Sequence, residues 1–258
     1  MLRKRIIFTL IYSEGFFMQS RNFRLQKVGN LNWLEKNYKF QNISFALDEL
    51  ILLNASKSNK NIYEFAKTVS NLVNDVFIPI AAGGGIETLE DAELLFKSGA
   101  DKIVINSLLV QNSIMVQDLI RNYGSQSVVA SIDCKSNGEC YEVFIKDGTV
   151  KVDFSLSEYI KYLEDLGVGE IYLNSIDKDG TGFGYDETLI ESINKITSLP
   201  LIIAGGAGNE SHLLKGLQLV NVSAVATANL FNFIGNGLPN ARNLILESGE
   251  NIANWNKD

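Results

Sequence analysis

Two stretches decide the fold: Val76-Phe77-Ile78-Pro79-Ile80-Ala81-Ala82-Gly83-Gly84-Gly85-Ile86 and Leu199-Pro200-Leu201-Ile202-Ile203-Ala204-Gly205-Gly206-Ala207-Gly208. Each is a short apolar run ending in a glycine cluster, and Gly206 stands 122 positions after Gly84. The neighbourhood repeats too: Glu49-Leu50-Ile51-Leu52-Leu53-Asn54 answers Glu170-Ile171-Tyr172-Leu173-Asn174-Ser175, 121 positions on. A period near half the chain implies a duplicated half-domain. Glycine after a strand lets backbone N–H groups approach an anion closely. Two such places, related by pseudo-symmetry, suit a ligand with a phosphate at each end.

Outward from these stretches, short apolar runs alternate with segments of helical period. Strands are expected at 5–12, 49–54, 77–82, 102–106, 127–133, 170–175, 200–204 and 223–228. Ile62, Phe65, Ala66, Val69 and Val73 mark one helix by spacing; Thr88 and Asp91 form a capping box that opens another. Further helices start at Ser155, at Ser211 and within 186–197. Eight strand-then-helix units predict a single (β/α)8 TIM barrel over residues 1–258, an α/β fold with half-barrels of about 1–123 and 124–240. Glu142-Val143-Phe144-Ile145 and Thr149-Val150-Lys151-Val152, around Lys146-Asp147-Gly148, predict a small hairpin inserted after the fifth strand. The Asn-rich tail, about 247–258, is expected to fray.

Composition narrows the function. The net charge is −7, and no basic run or basic-aromatic stripe offers a nucleic-acid surface. The two cysteines, Cys134 and Cys140, fit a reduced, cytoplasmic protein rather than a disulfide scaffold. The opening Met1 to Tyr12 has a basic start and an apolar run, but no small-x-small cleavage site follows, so it reads as a buried first strand. No run approaches the roughly 20 apolar residues of a membrane span.

In a barrel the active face lies at the C-terminal ends of the strands. The glycine clusters, Gly84-Gly85 and Gly205-Gly206, are read as phosphate cups. Asn106-Ser107 and Ala228-Asn229 follow the next strand in each half and complete them; Gly180 and the Thr181 hydroxyl add to the set. Asp133, ending Ser131-Ile132-Asp133, is a candidate general acid or base. Asp177 and Asp179 sit in a Gly-rich loop where aspartate also serves turns. His212, the single histidine, reads as a solvated surface residue. With one histidine the chain has no His-based triad and no His/Cys metal cluster, and no cofactor is expected. Cys134 lacks a histidine to activate it.

Together these motifs resemble the cyclase subunit of imidazole glycerol phosphate synthase, a histidine-biosynthesis barrel. The resemblance runs from Leu2 to about Phe233 and rests on Leu2-Arg3-Lys4-Arg5-Ile6-Ile7, Val76 to Ile86, Gly99-Ala100-Asp101-Lys102, Ser131-Ile132-Asp133, Asp177-Lys178-Asp179-Gly180-Thr181 and Ala204 to Gly208. The sister isomerase of the pathway shares the half-barrel repeat but fits Arg5 and Asp177–Thr181 less well. The resemblance implies a glutaminase partner docked on the barrel floor and ammonia passing through the interior to a bisphosphorylated substrate. It places an entry gate on Arg5, Glu49, Lys102 and Glu170, all of the family's charge type, and a docking contact on Asp101. The structural alternative for the four is an ion-pair ring.

The opposite face departs from the family. Asp133 matches one of two catalytic aspartates; Ile11 stands at the other. Phe16-Phe17-Met18-Gln19 stands in the loop where the family carries a substrate-reaching basic residue, and Asn54 replaces an aspartate. An isoleucine transfers no proton, and loss of one such group costs about 10²–10⁴ in rate. Glu14, three residues on, is several ångströms displaced. This pattern resembles paralogues that serve sugar amidation, in which the barrel conducts ammonia for an ATP-dependent amidotransferase converting an acetamido to an acetamidino sugar. The alternative is an authentic, divergent cyclase with Asp133 as acid/base and Glu14 or Asp179 covering the missing role. A third reading is an unrelated phosphate-binding sugar isomerase, against which the charged floor ring argues.

Overall fold

The computed structural model describes residues 3–38, 43–57 and 60–255. Eight parallel strands close into a barrel: β1 (Arg5–Ser13), β4 (Glu49–Asn54), β5 (Ile80–Gly83), β6 (Lys102–Ile105), β7 (Val128–Ser136), β10 (Glu170–Ser175), β11 (Leu201–Ala204) and β12 (Val222–Thr227). The ring closes where Ile6 of β1 pairs with Val225 of β12. The TIM barrel expected from the repeat is therefore the fold. Its strands alternate as pleating demands. Ile6, Phe8, Leu10 and Tyr12 face outward into the layer beneath the helices. Ile7, Ile51, Ala81, Val104, Val129 and Tyr172 face the lumen.

The helices are α1 (Leu31–Tyr38), α2 (Ile62–Asp75), α3 (Leu89–Lys97), α4 (Ser107–Gln111), α5 (Ser113–Tyr123), α6 (Leu156–Leu166), α7 (Glu187–Asn194), α8 (Glu210–Gln218) and α9 (Gly237–Glu247). The expected capping box of Thr88 with Asp91 forms on α3, and α6, which starts after Ser155 as expected, carries a second one, Ser155 with Glu158. In α8 the cap is Asn209 rather than Ser211, because its side chain accepts from the His212 N–H. The third barrel strand starts at Ile80, not residue 77: Phe77 precedes Pro79 and is 85% exposed.

Two hairpins rise from the mouth of the barrel. β8 (Tyr141–Ile145) and β9 (Val150–Lys151) form the expected one. β2 (Phe16–Arg21) and β3 (Arg24–Gly29) form a second, in a stretch read from sequence only as a loop. Its tip residues Asn22 and Phe23 both take positive φ, as a tight primed turn requires. Part of the tail expected to fray is packed: Ile252 bridges to Lys4, and Ile252 and Ala253 are buried. Buried Arg242 holds it there, pairing with Asp48 at 2.6 Å and donating to the carbonyls of Ala46 and Ala253. Residues 256–258 lie outside the described residues.

Candidate functional site at the barrel mouth

The C-terminal strand ends enclose a cavity of about 470 Å³. Asp133, near the end of β7, is 8% exposed in its wall. Asn106 Nδ2 donates to its Oδ2 at 3.1 Å, and Asn174 Nδ2 to its Oδ1 at 3.3 Å. Burial pushes the carboxyl up to about 7; the Asn174 hydrogen bond opposes that, and the charges of Asp147 and Asp179 add to it. A carboxyl poised there gives or takes a proton near neutral pH. Asn174 was not singled out from sequence. Its signal was its place as the register partner of Asp133 on the neighbouring strand.

Across the cavity stand Ile11, Gln19 and Asn54. Ile11 presents an alkyl chain where β1 reaches the mouth, and Asn54 Oδ1 accepts from the Ser56 N–H. Glu14 lies in the β1–β2 turn at φ 49°, exposed and apart from the lining residues. Asp179 does line the cavity, but its Oδ2 accepts from Ser20 Oγ and the Phe23 N–H. Burial raises its pKa against those two hydrogen bonds. Asp177 Oδ2 accepts from the Ser136 N–H at 2.8 Å and so holds the extension of β7.

The two glycine clusters follow β5 and β11, the third and seventh barrel strands, four strands apart as the repeat requires. Gly84, Gly85, Gly205 and Gly206 all line the cavity, with Asn106, Ser107, Gly180, Ala228 and Asn229. Gly84 has φ +92° and a Cβ there would stand 2.2 Å from the Asn54 carbonyl oxygen. At Gly206 (φ +109°) a Cβ would stand 2.0 Å from the Gly184 carbonyl oxygen. Glycine is thus demanded by backbone approach at both places, before any ligand is considered. Thr181 does not join the lining. Its hydroxyl donates to the Lys178 carbonyl of its own turn. His212 is partly buried and its Nδ1 accepts from the Gly208 N–H, so it shapes the second glycine loop instead of standing free in solvent. Lys57 and Lys60, both on the loop after β4, and Lys146, at the tip of the β8–β9 hairpin, also line the cavity and were missed, since lysine is common on loops and the two loops lie far apart in sequence.

At the opposite end, the first residues of four strands meet in a ring. Arg5 pairs with Glu49 at 2.6 Å and with Glu170; Lys102 pairs with each glutamate at 3.1 Å. Ser223 Oγ donates to Glu170 at 3.2 Å. Burial works against the Arg5 charge, but Glu170 and Glu49 outweigh it and raise its pKa. Burial pushes the Glu49 carboxyl up, with Lys102 and Arg5 pulling it down. Alternating signs let four charges share a poorly solvated place. Between ring and mouth the lumen is mostly apolar, and Thr9 and Tyr172, which both line the cavity, share a hydrogen bond of 3.2 Å. Asp101 is exposed on the floor, one carboxylate oxygen accepting from the Ile80 N–H at 2.8 Å.

Among the described residues, no group of three or more His, Cys, Asp or Glu could hold a metal ion, and no helix is long and apolar enough to cross a membrane. A model of the family described as histidine biosynthesis protein matches residues 24–235. The hisF2 protein of Parasynechococcus marenigrum (strain WH8102), which its name assigns provisionally to imidazole glycerol phosphate synthase, is 43% identical over 99% of this chain and 95% of its own length. The imidazole glycerol phosphate synthase subunit HisF of Pyrobaculum aerophilum is 38% identical over 92% of both chains. That of Exiguobacterium sibiricum is 35% identical over 98% of this chain and all of its own. The chain belongs to this histidine-biosynthesis barrel family and is a HisF-like protein.

Proposed function

We propose that this HisF-like barrel is the ammonia-channelling subunit of a cytoplasmic glutamine amidotransferase complex, receiving ammonia from a glutaminase at Arg5, Glu49, Lys102 and Glu170. The glutaminase docks on the floor, where Asp101 is exposed. Ammonia, small and neutral, crosses the apolar lumen past Thr9 and Tyr172 to the mouth. A phosphorylated ligand sits there between the two glycine cups. The ammonia serves an ATP-dependent enzyme that turns an acetamido sugar into an acetamidino sugar. The observation that carries this reading is Ile11: it occupies the cavity wall across from Asp133, so one of the two proton-transfer positions implied by the family is an alkyl chain.

The second reading is cyclase chemistry itself, making imidazole glycerol phosphate and aminoimidazole carboxamide ribotide from the formimino bisphosphate precursor and ammonia. Asp133, whose carboxyl burial pushes up to about 7 while Asn106 and Asn174 hold it in place, favours it. Glu14 gives it little help, because it points from an exposed turn. The two readings separate in one assay: ammonia-dependent turnover of the formimino bisphosphate by the chain and by Ile11→Asp. Turnover by the unmodified chain makes it a working cyclase and removes the conduit reading. Turnover only in the variant supports a conduit that kept its substrate cups. No turnover by either means a mouth remade for another acceptor.

A further inference from the structure

Beside the main cavity the mouth has a second recess of about 510 Å³, lined by Phe23, Lys57, Lys135, Lys146, Asp147 and Thr149 among others. Phe23, Lys57, Lys146 and Asp147 line both spaces, so the recess opens from the cavity. The junction is fixed by one hydrogen bond: the Lys146 N–H donates to Ser107 Oγ at 3.2 Å, and Ser107 belongs to the cup of Gly84 and Gly85. The tip of the β8–β9 hairpin is thereby seated on the rim of that cup. Gly148 at this tip lies so close to the Phe23 ring that a Cβ would stand 2.7 Å from it.

The lysines that line the main cavity come from loops outside the second cup, where Lys178 packs beside Gly206 without lining the cavity. The cations lining the main cavity are Lys57, Lys60 and Lys146, and none follows β11 or β12. Lys135 adds a further cation in the recess. The one carboxylate there, Asp147, faces Lys60 at 4.0 Å. Three lysines, Lys57, Lys135 and Lys146, line the recess with one carboxylate, Asp147, in a chain whose net charge is −7, and Glu142 stands beside Lys135 as its register partner on β8. Like charges gathered in a recess repel, and a bound polyanion relieves that repulsion. Lysine supplies three rotatable donors on a flexible stem, which suits phosphoryl oxygens.

We propose that the recess is a third anion site, in which Lys57, Lys135 and Lys146 hold a phosphoryl group joined to the one in the Gly84–Gly85 cup. The end of the ligand bound at β5 and β6 is then an organic diphosphate, and the end at β11 and β12 carries less charge. The inference rests on the phosphate-cup reading and sides with an acceptor other than the formimino bisphosphate, which carries a single phosphate at each end.

Calorimetric titration of the full chain with inorganic phosphate and with inorganic pyrophosphate, at low ionic strength, tests it. Pyrophosphate is expected to bind one to one, at least about tenfold tighter than phosphate. Lys135→Ala is expected to weaken pyrophosphate about tenfold, the loss of one charge-assisted contact, and to leave phosphate unchanged. Lys67→Ala removes a remote, 76%-exposed lysine and is expected to change neither, which separates a local site from net charge. Equal affinity for the two anions, or pyrophosphate binding indifferent to Lys135, overturns the recess while leaving the cup. Absence of binding by both anions overturns cup and recess together.

Discussion

Asp179, in the turn after β10, accepts a hydrogen bond from Ser20 Oγ of β2 at 2.5 Å, across 159 positions of sequence. The same carboxylate oxygen accepts from the Phe23 N–H at 2.9 Å. One side chain therefore anchors the β2–β3 hairpin over the mouth. Asp179→Ala removes both bonds, each to a charged acceptor and each of order 1.5–3 kcal/mol. Hydrogen exchange of the peptide 16–29 is expected to accelerate strongly while the barrel strands keep their protection. An unchanged rate for 16–29 would show that the hairpin is held by other contacts.

The buried Asp133 makes stability depend on pH. Its folded pKa of about 7 lies above the ordinary 3.8, so the folded state binds the proton more tightly. That contribution is complete below the ordinary value and is lost as pH rises through 7. The loss is at most about 4 kcal/mol. Asp133→Asn carries no such charge. Its unfolding midpoint is expected to exceed that of the unmodified chain at pH 8, with the gap closing towards pH 4. Parallel midpoints over that range would contradict a protonated native Asp133.

The floor ring is a closed set of two cations and two anions. Arg5→Met leaves Glu49, whose side chain is 3% exposed, with Lys102 as its remaining ion-pair partner in the ring. Breaking such a buried pair costs about 3–5 kcal/mol. Urea denaturation is expected to show a loss of this order, with partial recovery when Glu49→Gln is added. A loss under about 1 kcal/mol would mean that water solvates the ring.

The conduit reading makes a separate demand on Lys102, the ring's second cation, which like Arg5 pairs with both glutamates. With the glutaminase bound, Lys102→Ala is expected to change the glutamine-dependent rate while added ammonium salt sustains the same reaction undiminished. Unchanged glutamine-dependent turnover would remove the gate from the proposal.

Arg242 and Asp48 tie the end of the chain to the barrel floor. Trp255 Nε1–H donates to Asp48 Oδ1 at 3.3 Å. Arg242→Leu strands a buried carboxylate and releases the two carbonyls it serves. Trp255 emission is expected to shift to the red and its quenching by iodide to increase, in a chain that still gives a cooperative melt. An unaltered spectrum would show that the tail is seated without Arg242.

How far the sequence reaches differs between backbone and side chains. The repeat of Gly84-Gly85 and Gly205-Gly206, and the apolar periods between, determined the barrel and its eight strands, because burial and pleating are local rules written in residue type. It also marked which ends of the strands carry Asp133, Ile11 and the four charges of the floor. The β2–β3 hairpin escaped, since its strands are short, mixed in polarity and fixed by Asp179 from the other half of the chain. Asn174 beside Asp133, the closed order of the ring, and the convergence of Lys57, Lys135 and Lys146 were decided by tertiary structure alone. Each joins residues from different strands or loops, and closure of the barrel, not their spacing along the chain, sets the distances between them.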